Sequence, residues 1–279
     1  MPAPDPHSKA AGQPALPTSS EVRVQRWRAE EITSATDVVA EESPVALRYQ
    51  DTPYVVMLAT PADLEDLAVG FTVSEAIVAS PDEIHHVRQR ATGDGLEVII
   101  DIASPRFAKL LQRQRNLTGR TGCGLCGAET VEGAIRRPPP VGGGLSVSPA
   151  ALHAALQELT TRQPLNMGTG SVHAAAWVLP DQGIRIVRED VGRHNALDKL
   201  IGALIRSKAD IASGYVIITS RASYEMVQKA ATVGVPLLVA ISAPTGLAVR
   251  LAEACGLTLV GFARPGQHVI YSHPHRLQA

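Results

Sequence analysis

A chain of 279 residues that is 45% hydrophobic and 19% charged has enough apolar material for two packed cores, and too little charge for a disordered polyelectrolyte. Its 26 basic and 27 acidic side chains leave a net charge of −1, which excludes the concentrated positive field of a non-specific nucleic-acid binder. Three cysteines, two of them in one short glycine-rich stretch, are not the even, dispersed set of a secreted disulfide framework and point to the cytosol. No uncharged apolar run reaches the ~18–20 residues of a membrane span, and none follows a basic start as in a signal peptide, so no membrane partner is expected.

In chain order, residues 1–20 carry Pro2, Pro4, Pro6, Pro14 and Pro17 among small residues and read as a disordered tail. Residues 21–115 read as a small α+β domain. Pro44 to Tyr49 and Tyr54 to Leu58 are β-prone runs around the turn-like Gln50-Asp51-Thr52-Pro53, which predicts a hairpin. Thr60-Pro61-Ala62-Asp63 looks like a helix start, with a capping hydroxyl, proline at the first helical position and acids in the first turn. Leu64, Leu67, Ala68, Phe71 and Glu75 continue at helical spacing; Leu96 to Ile102 predicts a strand and Pro105 to Arg115 a short basic helix.

Residues 116–147 form a linker rich in glycine, with Pro138-Pro139-Pro140, in which regular structure is not expected. From Ser148 onward helices and strands alternate: a helix to Thr161, strands Ala174 to Leu179 and Ile184 to Arg188, and a helix Asn195 to Arg206. Strand Tyr215 to Thr219, helix Ala222 to Val233, strand Pro236 to Ile241, helix Leu247 to Ala254 and strand Thr258 to Phe262 follow. Continuous apolar strands alternating with helices imply, for residues 148–279, a sheet covered on both faces, so the fold class is α/β.

Four stretches carry potential chemistry. Cys123-Gly124-Leu125-Cys126 is a lone C-x-x-C pair wrapped in glycine. A structural zinc site wants four ligands and would have to recruit His173 or His194, while a thioredoxin-like site wants a helix where the glycines disfavour one. A mobile thiol that carries a group between proteins fits as well, with Arg115, Arg120, Arg136 and Arg137 near enough in sequence to favour its thiolate. The second stretch, Glu189 to Lys199, crowds Asp190, Arg193, His194 and Asn195 where a strand turns into a helix, the usual place for a ligand in an open α/β sheet; plain helix capping is the competing reading. Thr219-Ser220-Arg221-Ala222-Ser223 repeats that geometry with hydroxyls and a cation, which suits phosphate. The glycines of Met167 to His173 would admit a ligand close to the backbone. Cys255, in an apolar helical pattern, reads as a small core residue.

Together these residues resemble the formate dehydrogenase accessory sulfurtransferases, the FdhD family. The resemblance runs from about Asp37 to Tyr271. It rests on Thr60 to Leu64 with Gly70-Phe71 and Ser74-Glu75, the Cys123/Cys126 pair, Thr169-Gly170 with His173-Ala174-Ala175, and the Glu189 to Lys199 stretch. Ser220 to Met226, Ser242-Ala243-Pro244-Thr245 and Gly261-Phe262-Ala263-Arg264 complete it. Two departures are Gly122, where the family often has serine, and Ser171, where it has a second glycine.

The resemblance implies a sulfur carrier that accepts persulfide sulfur from a cysteine desulfurase and passes it to the bis-guanine-dinucleotide molybdenum cofactor destined for formate dehydrogenase. It implies Cys123 as the persulfide cysteine and Cys126 as its companion. Phe262, Ala263, Arg264, Pro265, Gly266 and Gln267 match the family's cofactor-binding stretch, and Arg193, His194 and Arg221 are the further expected contacts to the guanine nucleotides. A cytidine-deaminase-like C-terminal domain and a homodimer are expected; a resident metal and a nucleic-acid partner are not. The alternatives are a cofactor-binding chaperone without sulfur chemistry, and a dithiol redox protein. A zinc deaminase is disfavoured, because no histidine is followed two residues later by glutamate and Gly122 rather than proline precedes Cys123.

Overall fold

The structure is a computed structural model that describes residues 16–93, 95–115 and 136–278. The elements of the first half are β1 (Ser19–Arg28), β2 (Glu31–Ala40), β3 (Ser43–Tyr49), β4 (Thr52–Ala59), α1 (Leu64–Ser74), β5 (Ile84–Ala91), β6 (Leu96–Ile102) and α2 (Ser104–Arg115). Strands β4-β3-β6-β5 form one sheet, with β3 and β4 as the predicted hairpin and β3 parallel to β6. Alternation explains its buried face: Val45, Leu47 and Tyr49 on β3 and Val98, Ile100 and Ile102 on β6 point inward, where Leu64, Leu67 and Ala68 of α1 cover them. Ahead of this sheet, β1 and β2 make a separate antiparallel ribbon that is largely exposed. Ser19 therefore belongs to a strand, inside the stretch read as tail, and residues 1–15 lie outside the described residues.

The second half contains α3 (Pro149–Leu159), α4 (Pro164–Thr169), β7 (His173–Leu179), β8 (Gly183–Asp190), α5 (Arg193–Arg206), β9 (Tyr215–Ile218), α6 (Tyr224–Thr232), β10 (Leu237–Ala240), α7 (Gly246–Cys255), β11 (Thr258–Arg264) and β12 (Gln267–Ser272). Its six strands run in the order β12-β11-β10-β9-β7-β8. Strands β9, β10 and β11 are parallel, as short all-apolar runs joined through helices must be, while β7 is antiparallel to both of its neighbours. Helices α5, α6 and α7 build a core on one face, around Leu197, Leu200, Val227 and Leu251; α3 closes the other with Leu152, Leu156 and Leu159. Cys255 is part of the first core, and its thiol is pushed up by burial.

Residues 136–147 contain no helix or strand, as expected, but they are not a free linker. Val141, Leu145 and Val147 are buried. The Val141 amide donates to the Cys255 carbonyl and that of Val147 to Arg276, so this segment is packed along the larger half.

The two halves meet along α1 and α5. Asp66, Gly70 and Ser74 recur at i, i+4 and i+8 on α1, and Asp198, Gly202 and Arg206 do the same on α5, so each helix presents a small-residue stripe flanked by polar groups. Backbone approaches backbone there: a Cβ added at Gly70 would overlap the Asp198 carbonyl oxygen, and one at Gly202 would overlap that of Asp66. Gly70→Ala should therefore destabilise the protein by about 3 kcal/mol or more, because neither backbone can retreat. Gly168→Ala, where an added Cβ would meet open space, should change stability by no more than about 0.5 kcal/mol. Denaturant unfolding of the two variants against the wild type checks both values.

Candidate functional site

The helix start expected at Thr60 is not there. Helix α1 begins at Leu64, after Asp63 in a left-handed conformation that makes no side-chain cap. The Thr60 hydroxyl instead accepts the Val191 amide across the junction of the two halves, at 3.1 Å, and the Thr60 amide donates to Asp190 at 3.0 Å. Asp190 and Lys199 are both fully buried and 2.6 Å apart. Every strong demand of that pair is met: Lys199 also donates to the Thr60 carbonyl, and Asp190 also accepts the Gly192 amide and the Asn195 side-chain amide. Asn195 reaches on to the Leu58 carbonyl. Much of the polar Glu189 to Lys199 stretch is thus a junction between the two halves, a role that neither the ligand-site nor the helix-capping reading of the sequence foresaw.

A second charged cluster sits lower on the same seam. Lys229 contacts Asp198 at 2.9 Å, Ser74 at 3.0 Å and Glu75 at 2.8 Å. Burial alone would lower the Lys229 pKa, but Asp198 and Glu75 outweigh it and the ammonium titrates above its usual range. Burial likewise pushes the Glu75 carboxyl up, and Lys229 and Arg136 pull it down further, to about 2. Arg136 is the first described residue after the cysteine-bearing stretch. Its guanidinium is 2.9 Å from Glu75 and donates to the Glu75 carbonyl at 2.6 Å, while its own carbonyl accepts the Tyr224 hydroxyl. Arg136 is therefore bound to a carboxylate of the seam. Cys123, Cys126 and Arg120 lie outside the described residues, and of the Arg115 side chain nothing is described.

Strand register places the other predicted site residues at one end of the six-stranded sheet. His173 pairs with Asp190, Ala175 with Ile218, and Ala240 with Ile218, so His173, Asp190 to His194, Thr219 to Ser223 and Ser242 to Thr245 all follow the same row. Phe262 to Gln267 form the bend between β11 and β12 at that end, since Arg264 pairs with Gln267. The residues fall into two groups. Arg193 and His194 start α5 beyond β8, whereas Phe262 to Gln267 sit beyond β11, four strands along in the order β8-β7-β9-β10-β11.

The two groups differ in readiness. Arg264 is already donating to the Ile241 and Ala263 carbonyls. Phe262 is held at φ 50 in a bulge, and the residue is 46% exposed. A phenylalanine in the left-handed region is strained, and strain of this kind collects at ligand sites. At the other group, Arg193 Nε, His194 Nε2 and Ser223 Oγ are buried without an aligned hydrogen-bond partner among the described residues. They are three of only six such side-chain atoms, and they gather where α5 and α6 start. Neither helix has a side-chain cap: Gly192 and Ser223 stand at the cap positions without one. His173 stands close by, its pKa lowered first by burial and then by Arg193 and His194. Donors without an aligned partner, the Arg193 guanidinium and two uncapped helix starts could together serve as an anion receptor, with the Glu225 carboxylate beside them, 2.8 Å from His194 Nε2.

Two cavities of about 300 and 330 Å³ flank the seam instead. The first is lined by Thr60, Asp63, Arg162 and Glu189, and its Leu165 and Asn166 amides already donate to Glu189. The second mixes Glu65 and Arg206 with His85 and His86, and Arg206 is paired there with Glu65 and Asp66. Neither has the unsatisfied donors of the sheet end.

Ser223, Glu75 and Tyr224 were visible as polar residues of recognised motifs, but their partners are remote in sequence and no spacing rule reveals them. Acid titration exposes the seam. The Glu75 pKa is depressed in the folded state, so its contribution is fully present above the ordinary carboxylate value near ~4.3 and is lost as the pH falls toward about 2. Glu75→Gln should flatten the fall in stability over that window relative to the wild type, as measured by urea unfolding at a series of pH values; parallel curves would mean that the pair contributes nothing.

Comparison with known proteins adds an independent line. Residues 40–278 match the FdhD/NarQ family. The chain is 52% identical over 278 residues to the "Sulfur carrier protein FdhD" of Cupriavidus necator, covering 100% of this chain and 96% of that protein. It is 51% identical over 269 residues to the protein of the same name from Xanthomonas campestris, covering 95% and 96%. Among solved structures, one from Desulfotalea psychrophila described as a formate dehydrogenase accessory protein superposes with a TM-score of 0.74 at 22% identity, over 94% of this chain and 100% of that one.

Proposed function

Because the chain belongs to the FdhD/NarQ family, we propose that it is a cytosolic sulfur carrier, taking persulfide sulfur from a cysteine desulfurase and passing it to the bis-guanine-dinucleotide molybdenum cofactor before formate dehydrogenase receives it. The observation that carries this reading is the gathering of Arg193 Nε, Ser223 Oγ and the His194 ring at two uncapped helix starts, a site suited to the phosphates of such a ligand. The exposure of Phe262 supports it further, since a base can stack on an aromatic face. The strand order β8-β7-β9-β10-β11, with helices on both faces, supports the cytidine-deaminase-like layout expected of this half.

In the loading step the Cys123 thiolate attacks the outer sulfur of the desulfurase persulfide. That S–S bond breaks, a new one forms on Cys123, and the desulfurase cysteine leaves as a thiolate. Release of the carried sulfur as hydrosulfide needs two electrons. Attack of the Cys126 thiolate on the inner sulfur supplies them and leaves a Cys123–Cys126 disulfide. A small external thiol can replace Cys126 in that role. The molybdenum cofactor is the substrate here, and Arg193, His194, Arg221 and Arg264 are the side chains assigned to hold its nucleotide arms.

Incubation with a desulfurase and cysteine, followed by mass spectrometry of the intact protein, tests the assignment. The wild type should gain about 32 Da, one sulfur atom, and Cys123→Ala should gain nothing. Cys126→Ala should load but support only part of the wild-type maturation of formate dehydrogenase in cells lacking the native protein. An adduct on Cys123→Ala would reverse the two roles. Absence of any adduct on the wild type would favour a chaperone without sulfur chemistry.

A further inference from the structure

The second residues of α5 and α6 face each other across the anion receptor. His194 Nε2 lies 2.8 Å from Glu225 Oε2, with the two side chains 28% and 23% exposed. The contact is close but off the hydrogen-bond axis, and Nε2 is one of the three unaligned buried atoms. Such misalignment is common in a ligand-free site and is corrected when the ligand seats the ring. The charged groups around the ring have separate employments. Asp190 is consumed by Lys199, Thr60, Gly192 and Asn195, and His173 and Arg193 are cationic or neutral neighbours that draw anions, not cations. That leaves Glu225 as the carboxylate in contact with His194.

We propose that Glu225 is a positioning residue: its carboxylate accepts from His194 Nε2–H and holds the ring, so that the Nδ1 edge, which takes up a proton from solvent as the ligand binds, is the one that donates to the diphosphate of a guanine nucleotide seated at the starts of α5 and α6. This rests on the nucleotide reading given above and adds a residue to it. The physical reason is geometric. A histidine side chain on a first helical turn can turn about two bonds, and a carboxylate 2.8 Å from the ring narrows that freedom before the ligand completes the alignment. A carboxylate this near an anion site is otherwise a liability, because like charges repel. Its presence is explained if the imidazole stands between it and the ligand.

Calorimetric titration with guanosine diphosphate (GDP) tests this, using the full-length protein and the variants E225A, E225Q, H194A and H194A/E225A, each checked for wild-type thermal unfolding. E225A should weaken GDP binding about tenfold, the range for a lost contact to a charged group. E225Q, which keeps an oxygen of the same reach, should recover binding to within about threefold of the wild type. In the H194A background, E225A should have less than about a twofold further effect, because the residue it positions is gone. An equal loss in both backgrounds would overturn the positioning role, as would tighter binding by E225A, the outcome expected if the carboxylate merely repels phosphate. Failure of the wild type to bind GDP would overturn the nucleotide reading itself, and the ligand role of His194 with it. The 15N shifts of the His194 ring in the free protein then judge the contact alone: a proton fixed on Nε2 in the wild type that becomes mixed between the nitrogens in E225A supports it, and identical shifts contradict it.

Discussion

The pair formed by Asp190 and Lys199 is the constraint on which the rest of the molecule depends. Both are fully buried, so neither charge can be left alone without a cost of several kcal/mol. Their remaining hydrogen-bonding capacity is filled by Thr60 from the smaller half and by Gly192 and Asn195 from the turn that opens α5. One carboxylate therefore fixes three things together: the end of the β4 region, the junction of the two halves, and the path of the chain into Arg193 and His194. A buried pair of this kind is weak evidence for high stability, since an apolar replacement is often as stable. Its value here is directional, because the groups that satisfy it come from both halves.

The seam continues along α1 and α5. Gly70 and Gly202 permit the helices to touch, and Asp66, Asp198, Lys229, Glu75 and Arg136 fill the margins with charge. The smaller half accordingly acts as a support for the site: α1 gives one face to its own sheet and the other to α5. The chain returns from the cysteine-bearing stretch at Arg136, bound to Glu75 on one side and to Tyr224 on the other. Tyr224 is the neighbour of Glu225 and of Ser223, so the described end of that stretch is tied to the same helix start that lines the anion receptor.

How much of this was legible depends on whether the signal was local. The β3–β4 hairpin and the elements expected after Ser148 emerged within a few residues of their observed limits, because their apolar periodicity is carried by the residues themselves, whereas the short helix α4 and the edge strand β12 were not foreseen. Strand β5, with the sequence IHHVRQRA, has too little alternation to be recognised and is held by its pairing with β6. The ribbon of β1 and β2 is polar and exposed, and so gave no burial signal. The helix start at Thr60 had every local mark of a cap, but the Val191 amide, 131 residues away, claimed its hydroxyl. The same limit applies to the site. Arg193, His194, Arg221 and Phe262 to Gln267 were singled out and do share one end of the sheet, yet that Arg264 is already bonded while Arg193 has an open donor follows only from three-dimensional packing.

The central claim is that this end of the six-stranded sheet, and not either cavity beside the seam, is where the nucleotide sits. Hydrogen–deuterium exchange with and without saturating GDP tests it most directly, because it reports on every backbone amide at once. The account predicts slowed exchange in peptides covering residues 191–196, 219–226 and 261–267, with little change elsewhere among the described residues. Protection confined to residues 84–87 and 205–206, or to 162–166, would place the ligand in one of the flanking cavities and contradict it.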